Sequence, residues 1–559
     1  MNPKKVPPRF ELGLLDSEFN VLTTRPWDQN HISSYPHSVM SLVIQTPDLG
    51  YFSLFTSVLL CILVIFRKRS QARTLKSPPG PWKLPVIGNL HHMVGALPHH
   101  ILADLAKKHG PIMHLKLGQL EAVIISSSKA AQEVLKTHEL TFAQRPQVLA
   151  VEVMSYGQAS IAFAPYGDVW RELRKICVSE LLNPKRVQSF RSIREEEVRI
   201  LVESIASVSR QGRLGFNFSE KCFGFTDGVV SRAAFGKKCK DQKEFTSLLE
   251  EAIKLAGGFD IPDLFPSLRF VGYLTGTIPA MIKLRDKIGK ILESIVDDHK
   301  IKRSEVFSST AGNDKAKEEE DFVDVLLNLQ ESNKLEFNFT VNQIKDVVMD
   351  VFSAGSVTSA TTLGWAMSEL MRNPRIMKKV QAEVRQVLQG KTTGRFEETD
   401  VQKVEYLKSV VKETLRLHPP TPLLPREARD MCRIGGYDLP TKSKVIVNEW
   451  ALGRDQESWG VDAESFRPER FEGSSVDFRG FDFEFIPFGA GRRICPGISF
   501  ATSMIELALC QLLCDFDWEL ANGIKPDELD MTETFGVTCR KRKDLYLIAT
   551  PRFASLSKS

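Results

Sequence analysis

"PFGAGRRICPG", residues 487–497, sets one cysteine, Cys495, between a glycine-rich turn and an apolar helical run, "ISFATSMIELALCQLL". Gly489, Gly491 and Gly497 permit a turn tight enough for backbone N–H groups to converge on one sulfur. Donors of that kind lower a thiolate's pKa and temper its electron donation. Phe488 is placed to cover the sulfur, and Arg493 to meet a carboxylate beside it. A single shielded, hydrogen-bonded thiolate next to arginines suits ligation of haem iron, whose flat apolar macrocycle carries propionates. Cys510 and Cys514, one turn apart on the following helix, read instead as small buried hydrophobes.

The remaining cysteines (61, 177, 222, 239, 432 and 539) are scattered, with no C-x-x-C and no spacing that suggests zinc or a disulfide framework. They place the bulk of the chain on a reducing, cytosolic side. Of 559 residues 42% are hydrophobic and 26% charged, so a large core can be buried, and a net charge of +5 is too small to suggest a nucleic-acid partner.

Leu49 to Phe66, "LGYFSLFTSVLLCILVIF", is an uncharged run of 18 residues followed at once by "RKRSQAR". The pattern predicts a transmembrane anchor over 49–66 with its basic end in the cytosol. A buried core helix or a cleaved signal peptide would not explain the basic stop, and no A-x-A site follows. The basic stop leads into "SPPGPWKLPVIGNLHHM", whose prolines forbid helix and make 67–90 a stiff hinge between anchor and globule. Residues 1–39 are unpatterned and precede Met40, so they are read as an N-terminal extension of the gene model, with 40–48 a short lumenal segment.

From 91 to 559 the expectation is one haem-binding catalytic domain, mainly α with small β-sheets. Strands are expected at "PIMHLKLG", "EAVIIS", "SKVIVNEWAL" and "DLYLIAT". "SSTAGNDKAKEEEDF", near 308–322, reads as a solvated loop.

The turn around Cys495 resembles the haem-binding signature of the cytochrome P-450 superfamily, F-x-x-G-x-R-x-C-x-G, with Phe488, Gly491, Arg493, Cys495 and Gly497 in its five positions. Other segments agree in order. "KETLRLHPP" places Glu413 and Arg416 three apart on one helix face and resembles the family's K-helix. "FRPERF" resembles the segment whose arginine, here Arg470, completes a Glu-Arg-Arg network. In "APYGDVWRELRKIC", Trp170 and Arg174 lie one turn apart. The resemblance implies that they hold a haem propionate, as do Arg426 in "LLPRE" and Arg493. It covers roughly 49–550 and is closest in detail to plant A-type microsomal members, among them a terpene-oxidising subfamily.

"FTVNQIKDVVMDVFSAGSVTSATTLGWAMSELMRNP" predicts a long helix capped by Thr340 with Gln343 and stopped before Pro374. In the family this helix crosses the oxygen side of the haem. Ala354 and Gly355 leave room for a diatomic ligand, and Thr358, bonding back to the carbonyl of residue 354, opens the helix locally. The family pattern A-G-x-[D/E]-T carries an acid for proton delivery, a contribution of roughly 10² to 10⁴ in rate. This chain has Val357 there.

The resemblance implies a monooxygenase using haem b and O2. Its electrons come from NADPH through NADPH-cytochrome P-450 reductase, a separate protein, because the chain has no dinucleotide-binding fingerprint. It also implies residence in the endoplasmic reticulum membrane, in contact with lipid, the catalytic domain facing the cytosol. The sequons at Asn217 and Asn338 would then stay unglycosylated. Pocket segments "LAVEVMSYGQASIAF", "PPTPLLP" and "ETFGVT" are apolar, with Glu152 and Glu533 read as outward-facing, so the expected substrate is a hydrophobic terpenoid, a sesquiterpene or diterpene. Loss of the acid leaves two alternatives: a haem-thiolate isomerase or dehydratase needing no oxygen activation, and a catalytically impaired haem-binding protein.

Overall fold

The computed structural model describes residues 75–553, apart from 157–158, 238–241, 256–259, 310–319, 333–334, 336, 390–395 and 535, together with Thr56. The chain divides into two units, Met1–Thr74 and Leu75–Ser559. The expected extension (1–39), lumenal segment (40–48), anchor (49–66) and basic stop lie outside the described residues, as does most of the charged loop near 308–322. One described helix, Ile498–Asp515, is apolar and long enough to cross a membrane, but it is mostly buried in the protein core.

Helices dominate, as expected. Those that position the site are α1 (Pro98–His109), α2 (Asp168–Ile176), α3 (Arg191–Ser209), α4 (Phe218–Phe235), α5 (Thr277–Ser309), α6 (Val341–Arg372), α7 (Glu405–Leu417) and α8 (Ile498–Asp515). The longest interior element is α6, with 32 residues. Its start follows from the sequence: Thr340 Oγ1 accepts from Gln343 N–H, and the Gln343 side chain accepts from Thr340 N–H. That reciprocal cap satisfies two of the helix's otherwise orphaned donors. From Phe352 through Met371 nearly every residue is buried or half-buried, because α4, α7 and α8 all pack against α6.

Among the described residues nine strands form three small sheets. The four-stranded sheet runs β1 (Ile112–Leu117), β2 (Leu120–Ile125), β7 (Lys444–Asn448), β4 (Leu423–Glu427), with β2 and β7 parallel and the outer pairs antiparallel. β3 (Phe216–Asn217), β9 (Tyr546–Pro551) and β8 (Phe516–Leu520) form a second, and β5 (Cys432–Ile434) with β6 (Tyr437–Leu439) a third. "SKVIVNEWAL" is strand only as far as Asn448. There the Asn448 side chain accepts from Ala451 N–H and caps a helical turn, Glu449–Leu452, a switch that the apolar pattern alone conceals.

The proline-rich segment is laid along β1 rather than standing clear of the globule. His114 N–H donates to Pro79 O (2.7 Å), and buried Asn89 binds Trp82 O and Lys116 N–H. A Cβ on Gly80 would lie 2.0 Å from His114 O, so glycine is what allows this approach. The sequons are likewise built into the fold: Asn217 caps α4 and Thr340 caps α6.

Candidate functional site

Cys495 sits just before α8, and the turn around it has the expected form. Gly489 and Gly491 have φ of 71° and 67°, Cys495 N–H donates to Phe488 O (2.8 Å), and Gly497 N–H donates to Cys495 Sγ (3.3 Å). A Cβ on Gly491 would be 2.1 Å from Leu135 O, so this glycine serves both conformation and close packing. Burial pushes the thiol's pKa up, while the Gly497 amide and Arg174 pull it down. Phe488 packs edge-on against Phe478, with ring centroids 5.3 Å apart.

Three further arginines gather in one place. Arg493, buried, donates to Ala143 O (2.8 Å), Ile161 O (3.4 Å) and Ala164 O (2.7 Å). Trp170 Nε1 donates to the same Ile161 carbonyl at 3.0 Å. Arg426 is 2% exposed and bonds Pro425 O. The third, Arg145, was not singled out by sequence reasoning. It donates to Ala162 O (3.1 Å) and Pro425 O (2.7 Å). Its only sequence signal is the short "QRP" that follows Phe142 and Ala143, too brief to read alone.

Burial lowers the basicity of Arg145, Arg426 and Arg493, and in Arg426 and Arg493 their neighbouring arginines add to it. Among the described residues no carboxylate pairs with any of these three. Buried cations that meet only carbonyl oxygens and one another require an anion. A haem's two propionates fit that demand, as Cys495 fits its iron. Residues Trp170, Arg174, Arg426 and Arg493 are thus brought to one region, with Arg174 close enough to interact electrostatically with Cys495 and Cys177.

Glu413 and Arg416, both fully buried, form a two-point pair at 2.7 Å and 2.7 Å. Arg470 Nε reaches Glu413 Oε1 at 3.0 Å, and the backbone N–H of Arg467 reaches it at 2.7 Å. The arginines' remaining donors go to carbonyls of Ala463, Trp459 and Asp462.

A cavity of about 580 Å³ has a wall that includes Asp350, Ser353, Ala354 and Thr358 from α6. That volume is inside the usual range for small-molecule sites, roughly 300–1,000 Å³. Thr358 Oγ1 donates to Ala354 O at 2.6 Å. Gly355 does not line the cavity: its missing Cβ would meet Val230 Cγ2 of α4 at 3.1 Å, so its smallness serves helix packing. Val357 is buried, and next to it Thr226 Oγ1 of α4 donates to Ser356 O (2.9 Å).

The wall also includes Leu117, Leu120, Val148, Phe163, Leu423 and Val537, with Arg145, Asp263, Arg269 and Lys444 among them. The charged members were not anticipated, because they come from segments other than the three read as pocket-lining. Most are satisfied within the protein: Asp263 accepts from Leu149 N–H (2.8 Å), and Arg269 pairs with Glu152 (2.6 Å).

Glu533 corrects an expectation outright. It is not outward-facing; its side chain is 7% exposed and accepts from His99 (2.8 Å) and His100 (2.9 Å). The two histidines on α1 supply the donors that make burial of a carboxylate tolerable.

A cysteine turn, an arginine cluster suited to an anion and an apolar cavity beside α6 define a haem-thiolate oxidoreductase. The Cytochrome P450 family model matches residues 78–548, and the chain belongs to that family. It is 57% identical over 499 residues to a melianol synthase of Citrus sinensis, covering 89% of this chain and 95% of that one. It is 51% identical to a premnaspirodiene oxygenase of Hyoscyamus muticus, over 90% and 98% of the two chains. It is also 51% identical to a desmethyl-deoxy-podophyllotoxin synthase of Sinopodophyllum hexandrum, over 89% and 97%. A zebra fish cytochrome P450 structure superposes with a TM-score of 0.67 at 23% identity, covering 82% of this chain and all of the other. The fold, the use of haem b with NADPH-derived electrons supplied through a reductase, and monooxygenase activity follow from membership of this family.

Proposed function

We propose that the chain oxidises a hydrophobic terpenoid skeleton of sesquiterpene or diterpene size at the end of the cavity bounded by Ala354 and Thr358. Residues 49–66 anchor it in the endoplasmic reticulum membrane with the catalytic domain in the cytosol. Cys495 would ligate the haem iron, and Trp170, Arg174, Arg426, Arg493 and Arg145 would hold the propionates. The observation that carries the reading is the unpaired arginine cluster beside a sulfur-directed turn.

When bound, haem supplies dioxygen activation: one oxygen atom enters the substrate and the other leaves as water, with two electrons from NADPH and two protons. The chain's own residues do the rest. Gly497 N–H and Arg174 favour the thiolate form of Cys495. Ala354, the smallest side chain on the cavity face of α6, leaves space for a diatomic ligand. Thr358 shares the Ala354 carbonyl through its hydroxyl and places that hydroxyl at the cavity wall. The apolar wall excludes bulk water and orients the substrate by shape.

The test is turnover of a terpenoid panel, including the precursors used by melianol synthases and by premnaspirodiene oxygenase. Microsomes with reductase and NADPH are used, comparing wild type with Val357→Asp. Oxygenated product from the wild type is expected. If the wild type consumes NADPH yielding only peroxide or water, while Val357→Asp turns over, native monooxygenation is wrong.

A further inference from the structure

Of the three acids on α6, Asp346, Asp350 and Glu369, it is Asp350 that borders the cavity. Residues 350, 353, 354, 357 and 358 share a helical face, and Asp350, Ser353, Ala354 and Thr358 of that face border the cavity. Where relatives of the family pattern carry an acid, this face has Val357. Two turns earlier it has Asp350. The face has therefore not lost its carboxyl group; it holds one at another level of the same wall.

Asp350 accepts from Ser160 Oγ (2.9 Å), Ile161 N–H (2.5 Å) and Ala162 N–H (3.2 Å). Those donors stabilise a carboxylate, yet burial outweighs them and brings the group to about 7. A carboxyl poised there exchanges its proton readily at working pH. The groups around it are Asp346 one turn before, which raises it, and Cys177. Arg145, Asp263, Arg269 and Lys444 line the same cavity.

We propose that Asp350 is the proton-holding residue of this cavity, supplying through cavity water the proton that the family pattern assigns to the acid at position 357. In that transfer the Oδ–H bond breaks and the proton passes to water. The carboxylate left behind is held by Ser160, Ile161 and Ala162, and solvent reprotonates it; no electrons move. The competing account is that Asp350 is only a strut. Asp346 is one, tying the same loop through Ser155 Oγ (2.8 Å), Tyr156 N–H (2.8 Å) and Ala159 N–H (3.0 Å).

The proposal rests on the monooxygenase reading, and absence of any oxygenated product from the wild type would sink that reading, not this one. The experiment uses the full-length haem-loaded protein with reductase. Asp350→Asn should lower product formed per NADPH by about tenfold or more, the missing reducing equivalents appearing as peroxide, with haem content unchanged. Adding Val357→Asp to that variant should restore coupling to within about twofold, which a lost strut would not allow. Independently of turnover, infrared difference spectra of the resting wild type should show a protonated-carboxyl band titrating near neutrality that Asp350→Asn lacks. If Asp350→Asn fails to load haem, Asp350→Glu serves: the band should shift while coupling is kept. Unchanged coupling in Asp350→Asn, loss of coupling that Val357→Asp does not repair, or a band that neither variant removes or moves would each overturn the proposal.

Discussion

The Arg493 guanidinium lies 3.9 Å over the ring of Trp170, and both side chains donate to the one carbonyl of Ile161. A cation stacked on an indole and tied to backbone oxygens is held in place before any anion arrives. The same cluster includes Arg426, which makes a single hydrogen bond to its neighbour's carbonyl and is pushed down by burial and by Arg145 and Arg493. Arg426→Leu should therefore act oppositely on two forms. Haem retention, measured as the rate of transfer to an excess of a haem-scavenging apoprotein, should weaken by one to two orders of magnitude, the loss of a charge-assisted bond worth about 1.5–3 kcal/mol. The haem-free form should melt no lower than wild type, because a repulsive buried charge has been removed. A haem-free form destabilised as much as the loaded one would show that the cluster is not waiting for an anion.

Glu413→Gln should be far more damaging than its isosteric shape suggests. The pair with Arg416 is wholly buried, and Arg470 shares the same oxygen. Removing the charge strands two buried guanidinium groups, at a cost of about 3–5 kcal/mol. The expected outcome is chain that is made but gives no red-shifted Soret band with carbon monoxide after reduction. A normal band at wild-type yield would contradict it.

These two clusters were read from the sequence with different success for a physical reason. Glu413 and Arg416 are three residues apart, and Gly489 to Gly497 is one turn, so the chemistry of each is nearly complete within a single short segment. The cap of α6 was visible on the same ground. Arg145 and the buried state of Glu533 were not visible, because their meaning comes from partners far away: Glu533 and His99 are 434 residues apart. Gly355 was misjudged because a missing Cβ reads alike whether it faces a ligand or a neighbouring helix, and only the position of Val230 decides. β4 escaped because "LLPRE" is five residues containing a proline, a composition that argues against a strand until a register with β7 is formed.

Gly491 and Gly497 should part company on substitution. At Gly491 an alanine meets both a φ of 67° and the Leu135 carbonyl at 2.1 Å. Gly491→Ala should cost more than about 1 kcal/mol, and the loop should lose its hold on the sulfur. At Gly497 the nearest atom to a new Cβ is Cys495 Sγ at 3.8 Å, an ordinary contact. Gly497→Ala should fold and keep the carbon monoxide band, whereas Cys495→Ala should abolish it. Equal loss in the two glycine variants would place their role in something other than backbone geometry.

Glu533 predicts a pH dependence of stability with a definite sign. Burial works against its charge, but hydrogen bonds from His100 and His99, with His418 nearby at 3.8 Å, hold its pKa well below the carboxylate range. Burial likewise lowers the pKa of His99 by more than Glu533 raises it. Both groups thus bind protons more readily unfolded than folded, so both favour unfolding as pH falls. His99 acts first, below its unfolded value near 6.5, and Glu533 below its unfolded value near 4.3. Thermal unfolding of the loaded protein should therefore weaken from about pH 6.5 downward and more steeply under about pH 4.5. Glu533→Gln should lower stability most at neutral pH, by about 1.5–3 kcal/mol for the charged hydrogen bonds lost. Its deficit against wild type should shrink as the pH drops through the carboxylate range, because the unfolded wild-type chain then takes up a proton that the folded carboxylate does not, which erodes the advantage of the charge. A deficit that stays constant from neutral to acid would mean that the carboxylate's charge contributes nothing and that Glu533 acts by shape alone.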